Sequence, residues 1–316
     1  MRVLVVGAGA VGGYFGGSLA REGVDVEFLV RPQQAQELSR RGMVTVSSTG
    51  HRMTDRVETV TADRLGPGWD LILLAVKARA LNNALDDIEA AVSDATAILP
   101  FLNGVGHIET IANQFGIRHV LGGVATIASE LNSSGEITLL APGGSAAFGE
   151  LDGRMSDRVA RIATMFERTA INVSTSTTIV QDMWEKWLFM AAGGAVTTLL
   201  GAPIGEVVDV PGGPAITEQI VSEVSSVLHA EGHAPRPQAL SRVLSTLTEA
   251  GSSFTTSLYR DVVAGRHTEA ETILGGISLL AQNHRIETPI TDTAVARLRI
   301  FERRLSLTKR NESTEH

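Results

Sequence analysis

Short apolar runs alternate with amphipathic stretches through the first half of the chain. Residues 2–6, 70–76 and 95–102 are almost wholly apolar after their first positions, which predicts parallel strands buried on both faces. Residues 24–30 read as a further strand, and residues 10–22, 33–41, 78–92 and 108–115 have helical character, the first closed by Gly23. Strands that alternate with crossover helices predict a parallel sheet. Residues 120–149 are strand-like and rich in glycine, and are expected to complete that sheet with antiparallel edges. After residue 175 the strand signal ends. Helical stretches are predicted over 179–200, 214–232, 236–250, 252–264, 267–284 and 290–306. The chain therefore reads as α/β, with a parallel-sheet domain over 1–176 followed by an all-helical domain over 177–316. The polar stretch 306–316 is expected to fray.

Composition narrows the function more than the fold. Of 316 residues, 43% are hydrophobic and 20% charged, as in ordinary globular proteins. The formal charge of −8 opposes a nucleic-acid partner, which would need a basic face. The chain has no cysteine, so disulfides, thiolate metal sites and cysteine nucleophiles are excluded. A reducing cytoplasm fits that composition and is the expected location. Two apolar stretches invite a membrane reading. Residues 3–13 are broken by glycines and fit a strand, turn and helix. Residues 187–203 hold Thr197 and Thr198, follow Glu185 and Lys186, and stop at Pro203, which suits a buried helix. No membrane association is expected.

Gly7, Gly9 and Gly12 form G-x-G-x-x-G between the first strand and its helix. With 32 glycines in the chain, the spacing alone means little; the strand–turn–helix context is what a dinucleotide fingerprint requires. The first glycine allows the tight turn, the second admits a pyrophosphate, and the third lets helix and strand pack closely. The N-terminus of the helix at Ala10 and Val11 would then face the phosphates. The second strand ends at Arg31, nineteen residues after Gly12, with Asp25 and Glu27 earlier in the strand. An arginine there accommodates a 2′-phosphate, so NADP (as NADPH) is favoured over NAD; the plainer reading is a solvated strand-end charge.

Only three of the 27 basic residues are lysines, namely Lys77, Lys186 and Lys309. Lys77 closes the strand 70–76 at the carboxyl edge, where ligands bind in open α/β sheets; a surface charge is the alternative. Lys186 lies between Trp184 and Trp187 at the start of the most apolar helix. An ammonium there must snorkel, find a carboxylate or take part in chemistry.

In these blocks and their order the chain resembles the ketopantoate reductase (2-dehydropantoate 2-reductase) family. The resemblance runs from VGAGAVGGYFGG through LAVKA at Lys77 and LNGVG at Asn103. It continues through WEKW at Lys186 and APIGEV at 202–207 to SLYRDVVAGRHTE at 257–269. It implies a Rossmann-type domain plus a helical domain, with substrate in the cleft between them. It also implies NADPH-dependent reduction of a 2-oxo acid, the ketopantoate step of pantothenate biosynthesis. Lys186 would be the general acid, Glu269 would orient it or touch substrate, and Ser257 would hold the substrate carboxylate. Asn103 would sit at the nicotinamide ribose and the substrate edge. Asp261 also falls in a matching block, where a structural helix role is expected. A homodimer is compatible with the resemblance.

The chain departs from the family pattern at four asparagines. The positions one and two turns after the lysine are Met190 and Gly194, and two others are Ile204 and Phe254. The substrate site that includes Met190, Gly194 and Phe254 is therefore expected to be more apolar than a ketopantoate site, with a more apolar 2-oxo acid or ketone as substrate. Two other readings stay open: a β-hydroxyacid-type dehydrogenase, and an inactive NADP-binding or sensing protein. His229 and His233 stand four apart with no evident third ligand, so no metal is expected. Sequence alone gives His107 and Glu130 no role.

Overall fold

The computed structural model describes residues 1–314, with side chains described as far as Thr308. The chain divides into two compact units, Met1–Met183 and the remainder from Trp184. The elements run β1 (Arg2–Val6), α1 (Ala10–Arg21), β2 (Asp25–Leu29), α2 (Pro32–Arg41), β3 (Met43–Val46), β4 (Arg52–Asp55), β5 (Glu58–Val60), β6 (Leu71–Leu74), α3 (Leu81–Asp87), β7 (Ala97–Pro100) and α4 (His107–Phe115). They continue with β8 (Leu121–Leu131), β9 (Ile137–Glu150), α5 (Asp157–Phe166) and β10 (Asn172–Thr175).

Five strands form an all-parallel sheet in the order β5-β2-β1-β6-β7. Because successive side chains point to opposite faces, Val3, Val5, Leu71 and Leu73 join one core with Phe15, Phe28 and Phe166. Leu4, Val6, Ile72 and Leu74 join another with Leu85, Ile88 and Ile111. Burial on both faces is why these runs carry no polar alternation. The chain leaves β1 toward β2 on one side and returns through β6 on the other. That reversal opens a crevice at the carboxyl edge, the switch point at which open α/β sheets bind ligands.

The expectation that 120–149 completes this sheet is corrected. β8 and β9 pair with each other from Leu121–Glu150 to Leu131–Ile137, with an irregularity between Ile127 and Ser129. They belong to a second sheet, β10-β9-β3-β4, and among the described residues a single isolated parallel bridge, Ile98–Val120, reaches back to β7. β9 is flanked by β3 and β10, and β4 pairs with β3; all three are four-residue strands whose mixed polarity gives no clear periodic signal.

The remaining elements are helical: α6 (Ile179–Leu200), α7 (Ile204–Val208), α8 (Gly213–Ala230), α9 (Pro237–Leu247), α10 (Ser257–Val263), α11 (Gly276–His284) and α12 (Pro289–Thr314). A π turn at Glu271–Gly275 leads into α11. Several boundaries differ from expectation. Residues 78–92 hold α3 flanked by 3-10 turns, and 252–264 are helical only from Ser257, because Thr256 caps α10 through Tyr259 N. The 306–316 segment does not fray at 306: α12 continues through Thr314, since no glycine or proline stops it. Residues 315 and 316 of that segment lie outside the described residues. Among the described residues no helix is long and apolar enough to cross a membrane.

Glu223, on α8, is 4% exposed and accepts hydrogen bonds from Ile290 N (3.2 Å), Thr291 N (2.9 Å) and Thr291 Oγ1 (2.8 Å). It thus caps the first turn of α12 from another helix. Glu223→Ala strands these buried donors and is expected to cost about 2–3 kcal/mol in urea unfolding. Glu223→Gln keeps an acceptor and should lose about half as much.

Candidate active site

The glycine turn is built as the fingerprint demands. Gly7 has φ +102°, and a Cβ there would stand 2.6 Å from the Ala75 carbonyl oxygen at the end of β6. A Cβ on Gly12 would stand 2.0 Å from Gly7 O, so the first turn of α1 lies directly on the β1 loop. Gly9 differs: a Cβ there would meet nothing within 4 Å. It is the N-cap of α1 and no side chain caps that end, which leaves first-turn N–H groups at Ala10 and Val11 facing an open approach. A pyrophosphate fits there on both counts, space and donors.

Arg31 is the N-cap residue of α2, exposed, and without an ion-pair partner among the described residues. With Ala8 of the glycine turn it lines a cavity of about 260 Å³ that also takes in Gln33, Gln34, Glu37 and Arg41. Glu27, the nearest acid in β2, is engaged by Arg2 at 2.7 Å. The cavity therefore offers a guanidinium at the strand end and no free strand-end carboxylate. Gln33, Gln34 and Arg41 give no signal in the sequence, because only the fold brings α2 to share one hollow with Met43 of β3 and Ile137 of β9. Lys77 is exposed, two residues past Ala75, and Asn103 is half-buried, three residues past β7. Both lie at the carboxyl edge of neighbouring strands.

Lys186 and Glu269 are brought together in the helical part of the chain. Lys186 is half-buried between the buried Trp184 and Trp187, whose rings are 5.3 Å apart. Desolvation of its ammonium lowers the pKa to about 8, against the opposing pull of the Glu269 charge. The next residue back, Glu185, is held by Arg236 at 2.6 Å, so its charge is already matched. Glu269 lies just before the π turn, its carbonyl accepting from Ile273 N at 3.0 Å. The indole of Trp187 donates to Ile273 O at 2.8 Å and ties that turn to α6. The pair can hold a proton near neutrality and release it to a developing alkoxide.

The predicted substrate residues separate into two groups. Phe254 stands 5.5 Å from Phe189, centroid to centroid, and near Gly193, on the stripe of α6 that begins at Lys186 and passes Met190. Phe189 and Phe254 thus pack together beside the turn of α6 that follows Lys186, and Met190 lies one turn on from the lysine by helical phase. Gly194 and Ile204 are packed instead. A Cβ on Gly194 would stand 2.8 Å from Leu258 Cδ1, and Ile204 is fully buried with its N–H on Phe254 O. Ser257 is exposed at the first position of α10, one residue after Thr256, whose hydroxyl pairs with Thr197 Oγ1 at 2.8 Å.

Asp261 binds Arg266 at 2.8 Å, a local role within its loop. His233 stacks on Trp184 at 4.6 Å, and no group of three or more metal-ligating side chains forms among the described residues. His107 is buried at the start of α4, and Glu130 pairs with Thr138 in the β8–β9 ladder.

Residues 3–153 match the family described as ketopantoate reductase PanE/ApbA, and residues 178–302 match its C-terminal domain. An uncharacterized oxidoreductase of Bacillus subtilis, YkpB, is 32% identical over 96% of this chain and 99% of its own. A 2-dehydropantoate 2-reductase of Halobacterium salinarum is 26% identical over 96% of this chain and 99% of its own. Among solved structures, D-mandelate dehydrogenase with NADH and anilino(oxo)acetate superposes with a TM-score of 0.84. It is 23% identical and covers 97% of this chain and all of that one, a likeness of fold.

Proposed function

The chain belongs to the ketopantoate reductase family of oxidoreductases, and from that premise we propose that it reduces an apolar 2-oxo acid to the 2-hydroxy acid with NADPH. The observation that carries this reading is the Lys186–Glu269 pair: an ammonium kept near its titration point inside an aromatic shell. When bound, the dinucleotide supplies a hydride to the carbonyl carbon. Gly9 and the uncapped start of α1 hold the pyrophosphate, with Ala10 and Val11 as donors. Lys77 and Asn103 bind further along the same edge. Lys186 Nζ–H donates its proton to the carbonyl oxygen as negative charge grows there. Glu269 holds the ammonium charged against desolvation and so keeps the acid loaded. Ser257 binds the substrate carboxylate. The Phe189, Met190 and Phe254 wall accepts an apolar side chain in place of a hydroxylated one.

Preference for NADPH rests on Arg31. A charge-assisted hydrogen bond is worth about 1.5–3 kcal/mol, so Arg31→Ala should raise KM for NADPH by roughly 10–100-fold. Use of NADH should change little, because its ribose carries no 2′-phosphate. The function itself is tested by following oxidation of NADPH with a series of 2-oxo acids of rising apolar bulk. Branched or aromatic acids should match or exceed ketopantoate. Absence of turnover with every 2-oxo acid would refute the reading and favour a binding protein.

A further inference from the structure

We propose that Glu302 is a positioning residue, which fixes Glu269 opposite Lys186 by gripping the residue immediately before it. The proposal rests on the catalytic reading of Lys186 and Glu269 given above. Glu302, on α12, accepts from Thr268 N at 2.6 Å and from Thr268 Oγ1 at 2.8 Å through one oxygen. Its other oxygen pairs with His267 Nδ1 at 2.8 Å. Two consecutive residues on the approach to Glu269 are thereby bound to one carboxylate. The Thr268 hydroxyl stands 3.3 Å from Ala270 N, so the turn around Glu269 is closed from both sides.

Downstream, the constraint continues. The segment passes at once into the π turn Glu271–Gly275, whose Ile273 carbonyl is taken by Trp187 of α6. Trp187 follows Lys186 directly, so the same indole orients the lysine's own turn. A Cβ on Gly276 would stand 2.8 Å from Trp187 Cζ2, which shows how closely the two segments pack. Arg299 also reaches this region, on Glu271 at 2.7 and 2.8 Å, but both side chains of that pair are more than half exposed. Exposed pairs contribute little, and Glu302, with 29% exposure and three hydrogen bonds, is the stronger anchor. Burial works against the Glu302 charge, yet its bonds to His267 and Thr268 outweigh it and keep the carboxyl below the usual range.

Lys186 reads out the position of Glu269. Desolvation pulls its pKa down and Glu269 pulls it up. The titratable and charged groups on these segments include Glu269 itself, Glu185 with its Arg236, and, beyond Glu269, His267, Glu302, Glu271 and Arg299. If Glu269 drifts outward, the lysine must lose its proton at lower pH. A purely structural role for Glu302 would lower the melting temperature and leave that midpoint in place.

The chain holds only three lysines, so isotope-labelled lysine gives an NMR titration with three resonances, and Lys186→Arg assigns the one of interest. In the full-length protein Glu302→Ala should lower the Lys186 midpoint by about half a pH unit or more, with a matching fall in the alkaline limb of turnover. Glu302→Gln keeps an acceptor for Thr268 and should shift it less. Thr268→Ala, which removes one bond of the set, tests the same direction if Glu302→Ala does not fold. A midpoint unchanged in these folded variants overturns the proposal. Glu269→Gln separates the two levels: if it too leaves the Lys186 midpoint unmoved, the catalytic pair is refuted as well, whereas a shift there alone removes only Glu302.

Discussion

Lys186→Ala is expected to lower kcat for 2-oxo acid reduction by about 10²–10³-fold, the usual cost of losing a preorganised donor at a developing oxyanion. The hydride step places charge on the carbonyl oxygen, and in this helix no other ammonium stands near Glu269. The fold should survive, because alanine suits a helix and the desolvated ammonium is a burden on the folded state. Affinity for NADPH, followed by fluorescence quenching, should stay within about twofold, since the residues assigned to the dinucleotide lie in the parallel-sheet unit. Lys186→Arg is not a conservative change here: a guanidinium stays charged but gives up its proton only above about pH 12, so turnover should remain low. A variant that loses NADPH binding and turnover together would place the lysine in the cofactor site instead.

The glycine turn yields the second large effect, through a contrast between two similar changes. Gly12→Ala puts a methyl carbon 2.0 Å from Gly7 O, a backbone atom that cannot step aside. Helix α1 must separate from β1, and overpacking of this kind costs about 1–3 kcal/mol or more. Gly9→Ala meets no protein atom, so its melting temperature should stay within about 1 °C of the wild type. Its methyl group would nevertheless occupy the approach used by a pyrophosphate, and NADPH binding should weaken by at least about tenfold. Calorimetry and NADPH titration of the two variants separate a structural glycine from a ligand-facing one. Equal destabilisation of both would contradict that division.

Much of this is legible in the amino-acid sequence. Buried parallel strands announce themselves by being apolar throughout, as in Leu71–Leu74, and the G-x-G-x-x-G turn carries its own steric logic. Lys186 stands out because an ammonium among tryptophans has few explanations. What could not be read depends on distant pairing. β3 is a four-residue strand that pairs with β9, some ninety residues on, and β4 in turn pairs with β3. Residues 267–284 read as one helix, yet the chain runs through a π turn there, whose Ile273 carbonyl meets the indole of Trp187, 86 residues back. Gly194 read as a vacated substrate contact because its helical phase matches Lys186, and the packing of Leu258 over it became evident only in three dimensions. Glu302 gave no signal at all, since its hydrogen bonds to Thr268 span 34 residues.

The pH dependence of turnover tests the central claim most directly. A general acid must be protonated, so kcat/KM for the 2-oxo acid, which reports groups of the enzyme before that acid binds, should be flat below, and fall tenfold per unit above, the Lys186 pKa of about 8. In the oxidative direction the unprotonated amine is the active form, and the rate should rise through the same midpoint. A reductive kcat/KM that stays level from pH 6 to pH 10 would contradict the assignment of the proton to Lys186.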